Sequence, residues 1–296
     1  MRNFILSCES TVDLPYSYLE KRELPVLFYT YSVDGKEYTD DLGKDPRSLP
    51  NFYHLLAGGA IPSTSQINRF RYKEFFEELL KQGDVIHVTL SSGITGSYAN
   101  AAAAAEELRP EYPDRKISVI DSLGACSGYG LLVDIAADMR DAGKSFEETE
   151  KWLLDNRLHM HYQFYPTTMD YFKRSGRVSG PAATIATILK IFPLMRFNAE
   201  GRIIAYEKVR GLKNVIRKTA EAMAEHADGG KDYCGRCWIA HSNCIEDAEE
   251  LRNMIVKDFK NLRREDIKIF DIGTIITSHT GPGTLALFFF GDERTM

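Results

Sequence analysis

The chain has 296 residues, 44% of them hydrophobic, 27% charged, and a net charge of −5, which suits about two soluble globular domains and gives no electrostatic case for nucleic acid or an anionic membrane. Five cysteines, an odd number, argue against a disulfide framework and for a reducing, cytoplasmic setting. No stretch approaches the roughly 18 apolar residues of a membrane span, and the opening Met1 to Glu9 lacks the apolar core of a signal peptide, so any lipid is expected to be held in a pocket.

In chain order, Phe4-Ile5-Leu6 and Val26 to Tyr29 read as strands. Phe70, Phe75, Phe76, Leu79 and Leu80 form the apolar face of a helix that stops at Gly83-Asp84. Val85 to Leu90 is a buried, β-branched strand, Gly96 to Leu108 an Ala-rich helix, Ile117 to Ile120 a strand and Gly128 to Met139 a helix. Strands alternating with helices predict an α/β/α domain on a parallel sheet, covering residues 1–157. A helix around Trp152 ends near Asn156, and the pattern then changes. Tyr162 to Tyr165, Arg202 to Glu207, Cys237 to His241 and two closing apolar runs read as strands, with helices at Pro181 to Lys190, Lys213 to His226 and Ile245 to Phe259. Residues 158–296 are therefore expected to form an α+β domain with a mostly antiparallel sheet.

The segment Ile275 to Gly283 is the most informative. An apolar run meets Thr277-Ser278-His279-Thr280, turns on Gly281-Pro282-Gly283, and gives way to Leu285 to Phe290. It reads as a strand, a functional turn and a strongly buried strand or helix, with His279 where the first strand stops. Three more polar clusters adjoin strands or turns: Ser63 to Gln66, Ser91-Ser92-Gly93 and Asp121-Ser122. Hydroxyls and backbone N–H groups at the ends of parallel strands can hold an anion. They can equally be helix caps. The run Ser91 to Ser97 has more hydroxyls than a cap needs, and its two glycines would let a ligand approach the backbone closely.

Two other chemistries compete. Ser92 and His279 could be the nucleophile and base of a lipid-ester hydrolase, but there is no Gly-x-Ser-x-Gly and no third orienting group. Cys234, Cys237, His241 and Cys244 have ligand chemistry for zinc, yet the spacing is tight and Cys237 to His241 reads as a buried strand. The basic turns Tyr171 to Gly180 and Lys208 to Lys213 could face an anion or a protein partner, or be ordinary solvated surface. No phosphate-binding loop of a kinase is present.

Taken together, these segments resemble the DegV family of bacterial fatty-acid-binding proteins. The carriers of the resemblance are Glu9-Ser10-Thr11-Val12-Asp13-Leu14-Pro15, Val33 to Asp41, Thr64-Ser65-Gln66, Ser91 to Tyr98, Asp121-Ser122, Ser175 to Ser179 and His279-Thr280-Gly281-Pro282-Gly283. The chain departs from the family's usual residues at Glu9, Ile67 and Ser175. The resemblance implies one long-chain fatty acid held between the two domains as the bound ligand, with no cofactor, metal or catalytic residue. It implies that Thr64, Ser65, Ser91, Ser92 and His279 surround the carboxylate and that Arg177 and Arg210 face a partner. It also implies a carrier rather than an enzyme. Its partner would be a separate ATP-binding fatty acid kinase subunit, which makes acyl phosphate for phospholipid synthesis.

Overall fold

The structure, a computed structural model, describes residues 3–178 and 190–296. The first half holds strands β1 (Ile5–Glu9), β2 (Val26–Leu27), β3 (Thr30–Val33), β4 (Lys36–Thr39), β5 (Ser63–Ser65), β6 (Val85–Thr89) and β7 (Ile117–Asp121). Its helices are α1 (Tyr16–Lys21), α2 (Ser48–Ala57), α3 (Arg69–Leu80), α4 (Ser97–Leu108), α5 (Cys126–Asp141) and α6 (Phe146–Asn156). Strands β2-β1-β6-β7 make the expected parallel sheet. Its central strands are buried on both faces, which is why Val85 to Thr89, apart from His87, is β-branched with little alternation. Helices start where local chemistry allows. Asn68 caps α3 by accepting the Arg71 N–H, and Ser145 with Glu148 forms a reciprocal capping box on α6.

A small antiparallel sheet, β4-β3-β5, is added to this half. It carries Thr64 opposite Tyr31. The strand expected over Val26 to Tyr29 is shorter, because the chain leaves the parallel sheet after Leu27 to enter β3.

The second half holds β8 (Met160–Tyr165), α7 (Asp170–Ser175), β9 (Ile191–Phe197), β10 (Ile203–Arg210), α8 (Leu212–His226), β11 (Cys237–His241), α9 (Ile245–Asp258), β12 (Ile267–Asp271), α10 (Thr274–Thr280) and β13 (Leu285–Phe290). Its sheet, β10-β9-β8-β13-β11-β12, is antiparallel except for the β11–β12 pair. The helix expected over 181–190 falls, apart from Lys190, outside the described residues, as does Ser179.

Strand alternation divides this sheet into two faces. Leu285, Leu287 and Phe289 of β13, with Cys237 and Ile239 of β11, meet α8 and α9 in one core. Ala286 and Phe288, with Trp238 and Tyr162, face the first half. That second face joins the packing of the parallel sheet in a single core running from Phe4 to Phe288. Helix α5 is the shared element, touching β1 on one side and β8, β11 and β13 on the other. Two glycines permit this. A Cβ at Gly128 would lie 2.3 Å from the Tyr162 ring, and one at Gly130 would lie 2.8 Å from the Val12 carbonyl.

The segment expected as a strand before His279 is the helix α10. Ile275-Ile276-Thr277 is β-branched, which favours strands locally. The spacing of Ile272, Ile275, Ile276, His279 and Thr280 is instead that of one helical face, and tertiary packing selects it.

Candidate functional site

Where the two halves meet, the structure holds a cavity of about 90 Å³, taken as the space open to the centre of a water-sized sphere. Its walls are apolar. The first half contributes Leu90, Ile94 and Ala125; the second contributes Phe164, Phe172, Phe197 and Phe288. Helix α10 lays its whole face, from Ile275 to Thr280, along one side.

Polar groups gather at the Thr64 end. The Thr64 hydroxyl and His279 Nε2 share a hydrogen bond of 2.7 Å. Strand β5 supplies the first and the last turn of α10 supplies the second, so the pair spans the two halves of the chain. Burial, followed by the nearby Arg177 charge, pushes His279 down to about 4, so the ring is neutral at pH 7. Its Nδ1 is buried and has no hydrogen-bond partner among the described residues. In the tautomer that carries its proton on Nε2, the ring donates to Thr64 and the threonine hydroxyl keeps its own proton for a group in the cavity. Gln66, Thr95 and the exposed Arg177 line the same region.

Tyr29 connects the cavity wall to a buried network. Its hydroxyl lies 2.7 Å from Ser97 Oγ and 3.3 Å from Glu9 Oε2. Glu9 also accepts the Tyr72 hydroxyl and, at 2.9 Å, the Leu90 N–H. The carboxylate is therefore held by donors behind the wall rather than offered to a ligand.

Of the residues singled out in the sequence, Thr64, His279 and Arg177 come together at the cavity. Ser65 is exposed on β5 and pairs with Thr30. Ser91 is fully buried; its hydroxyl donates to the Gly201 carbonyl at 2.7 Å and accepts the Gly93 N–H at 3.1 Å. Ser92 is exposed, its N–H donating to Asp121 Oδ1 at 3.1 Å. Arg210 ends β10 at the surface and is not part of the cavity wall. The two glycines of this run admit protein, not ligand. A Cβ at Gly93 would lie 2.3 Å from the Gly201 carbonyl, and one at Gly96 2.9 Å from Gln66. Gln66, Thr95 and Tyr29 had weaker signals; the first two sit inside segments already marked by their hydroxyls, and Tyr29 follows a strand.

The two competing chemistries are not built. His279 Nε2 bonds Thr64 rather than Ser92, so the nucleophile–base pair of a hydrolase is absent. Cys234 is exposed, whereas Cys237 packs its sulfur 3.9 Å from that of Met223 in the second core. His241 Nδ1 accepts the Cys244 N–H at 3.3 Å, a local turn contact. Cys237 and His241 share a strand face but lie four residues apart along it, and among the described residues these four do not gather as metal ligands.

The family described as "Uncharacterised protein, DegV family" matches residues 6–292. A DegV domain-containing protein of Clostridium perfringens is 37% identical over 99% of both chains. A fatty acid-binding protein of Thermotoga maritima is 31% identical over 96% of both. The Fatty Acid Kinase (Fak) B3 protein of Streptococcus pneumoniae, solved loaded with linoleic acid, shares the fold with a TM-score of 0.82. At 22% identity, that likeness covers 98% of this chain and 100% of the other. The chain belongs to the DegV family.

Proposed function

We propose that this protein holds one long-chain fatty acid in the cavity between its halves and presents the carboxylate to a separate ATP-binding kinase subunit for acyl phosphate formation. The observation that carries the reading is a largely apolar cavity whose wall includes a neutral hydroxyl–imidazole pair, Thr64 and His279. Such an end can donate hydrogen bonds to a carboxylate without fixing it in an ion pair, leaving an oxygen open to phosphorylation. Retention then rests on the chain. At about 0.8 kcal/mol per methylene, fifteen methylenes supply on the order of 10 kcal/mol before the costs of binding. The exposed Arg177 at the same end suits an anionic substrate or an acidic partner.

The fatty acid kinase neighbour supports the second step only by its fold; the fatty acid-binding relative supports the first by sequence. In this reading the protein is a carrier, active in the cytoplasm, and catalysis belongs to the partner. Among the described residues, no helix is long and apolar enough to cross a membrane.

Native mass spectrometry of protein purified from bacteria tests the first step. The expected result is one fatty-acid mass per chain; a bare chain that also takes up no added palmitate or oleate would overturn it. The second step is tested by mixing loaded protein, ATP and a fatty acid kinase subunit, then trapping acyl phosphate as hydroxamate. Product only with the kinase is expected. Product from the loaded protein alone would make it an enzyme, and no product in either mixture would confine its role to binding.

A further inference from the structure

We propose that His161, His226 and Asp292 form a binding site for a divalent transition-metal ion, zinc foremost, on the face of the second sheet opposite the fatty acid cavity. His161 and Tyr162 are consecutive in β8 and so point to opposite faces. Tyr162 lines the cavity, whereas His161 stacks on Phe289 and on His226, with ring centroids 5.1 Å apart in each pair. His226 is the last residue of α8, and Asp292 follows β13 by two residues. Three separate elements thus bring imidazole, imidazole and carboxylate to one point.

The separations suit a metal. His161 Nε2 lies 2.9 Å from Asp292 Oδ1, and His226 Nδ1 lies 3.2 Å from Asp292 Oδ2. All the donor atoms fall within 4.8 Å of one another. Zinc bonds of about 2.0–2.1 Å place tetrahedral ligands roughly 3.3–3.4 Å apart, so little movement is needed. Two imidazoles and one carboxylate are a donor set for zinc, cobalt or nickel, with the remaining position left to water or Glu293 at the rim. His161 Nε2, beside the Asp292 carboxylate, has a lone pair for the ion once the ring proton sits on Nδ1. The Asp292 carbonyl, 2.8 Å from His161 Nε2, adds a further oxygen at the same spot.

Two arginines line this hollow, and both are committed elsewhere. Arg294 donates to the carbonyls of Leu123, Arg157 and Asn198, each at 3.0 Å, and Arg196 lies over the Tyr206 ring. The Arg294 bonds join the two halves of the chain. An ion held by Asp292, two residues away, would brace that junction as well as the start of β8.

Zinc and cobalt titrations of the full-length protein test the site. One ion per chain is expected, with a rise in melting temperature and a cobalt absorption band characteristic of nitrogen and oxygen ligands. The double variant His226→Ala/Asp292→Asn, changed at partly exposed positions, should lose more than about 100-fold in affinity, since even an outer-shell partner is worth 10–100-fold. Cys234→Ser should bind as the native protein does. No uptake by the native protein overturns the site. Undiminished uptake by the double variant, or loss in Cys234→Ser, overturns it by assigning the ion to other ligands. Fatty acid content can be read on the same samples, so failure here leaves the carrier reading untouched.

Discussion

The loop from Ser91 to Ser97 and the helix from Thr274 to Thr280 have similar compositions, rich in hydroxyls and flanked by glycine, but opposite uses. In the loop, Ser91 and Gly93 close on the Asn198–Gly201 turn and so join the two halves of the chain. In the helix, Ser278 and Thr280 bond backward to the carbonyls of Thr274 and Ile276, leaving the apolar stripe and His279 to face the cavity. A hydroxyl cluster near a strand end therefore says little until its acceptors are known. One segment is a fastening and the other a wall.

The sharpest way to separate them is to fill the cavity. Ala286→Phe on β13 should shorten the usable tunnel by about four methylenes, roughly 3 kcal/mol, raising the fatty acid Kd more than about 100-fold. Unfolding midpoint and palmitate affinity measured together would show loss of ligand with a retained fold. Thr64→Val should cost about 1.5–2 kcal/mol of affinity, roughly 10- to 30-fold, by removing a hydrogen bond to a charged group. An unchanged Kd would move the head group away from Thr64. Ser91→Ala should do the reverse, lowering stability by about 1–2 kcal/mol in urea melts while the ligand affinity of the folded protein holds. Ser92→Ala, at an exposed position, should change both by under about 0.5 kcal/mol. A tenfold loss of affinity there would bring the carboxylate to the Ser92 loop.

The smallest expected effect is a flat pH profile. Burial sets His279 at about 4, against an ordinary 6.5, so the folded protein favours the neutral ring. Its contribution to stability is present above pH 6.5 and is lost as pH falls toward 4. Fatty acid retention should stay constant from pH 6 to 8. A decline as pH rises through 6.5 would mean that an imidazolium holds the carboxylate.

Much of the frame is legible in the chain because burial writes a plain pattern. Val85 to Thr89, Ile117 to Asp121 and Cys237 to His241 are covered on both faces and read as apolar runs. Helix α10 is misread from composition, since three β-branched residues in a row outweigh a 3–4 spacing only a few residues long. In the β4-β3-β5 sheet the β3–β4 hairpin is local, but the β3–β5 pairing that places Thr64 joins residues more than thirty positions apart, and no local signal marks it. Thr64 and His279 stand out as residue types, yet their contact crosses 215 positions. The directions of Ser91 and Ser92 depend on a turn in the other half of the chain. The trio His161, His226 and Asp292 leaves no spacing to notice.

Strand β13 lies at the centre of the six-stranded sheet, between β8 and β11. Its partner in β8 is about 120 positions earlier, with Leu285 beside Tyr165 and Phe290 beside Met160. Pairing this remote is a late event in folding, because the loop must be closed before the contacts reward it. A chain still being synthesised, before residues 285–290 emerge, has a gap where Ala286 and Phe288 will stand, and so has no enclosed tunnel. Under the proposed function, lipid capture would then require the finished molecule.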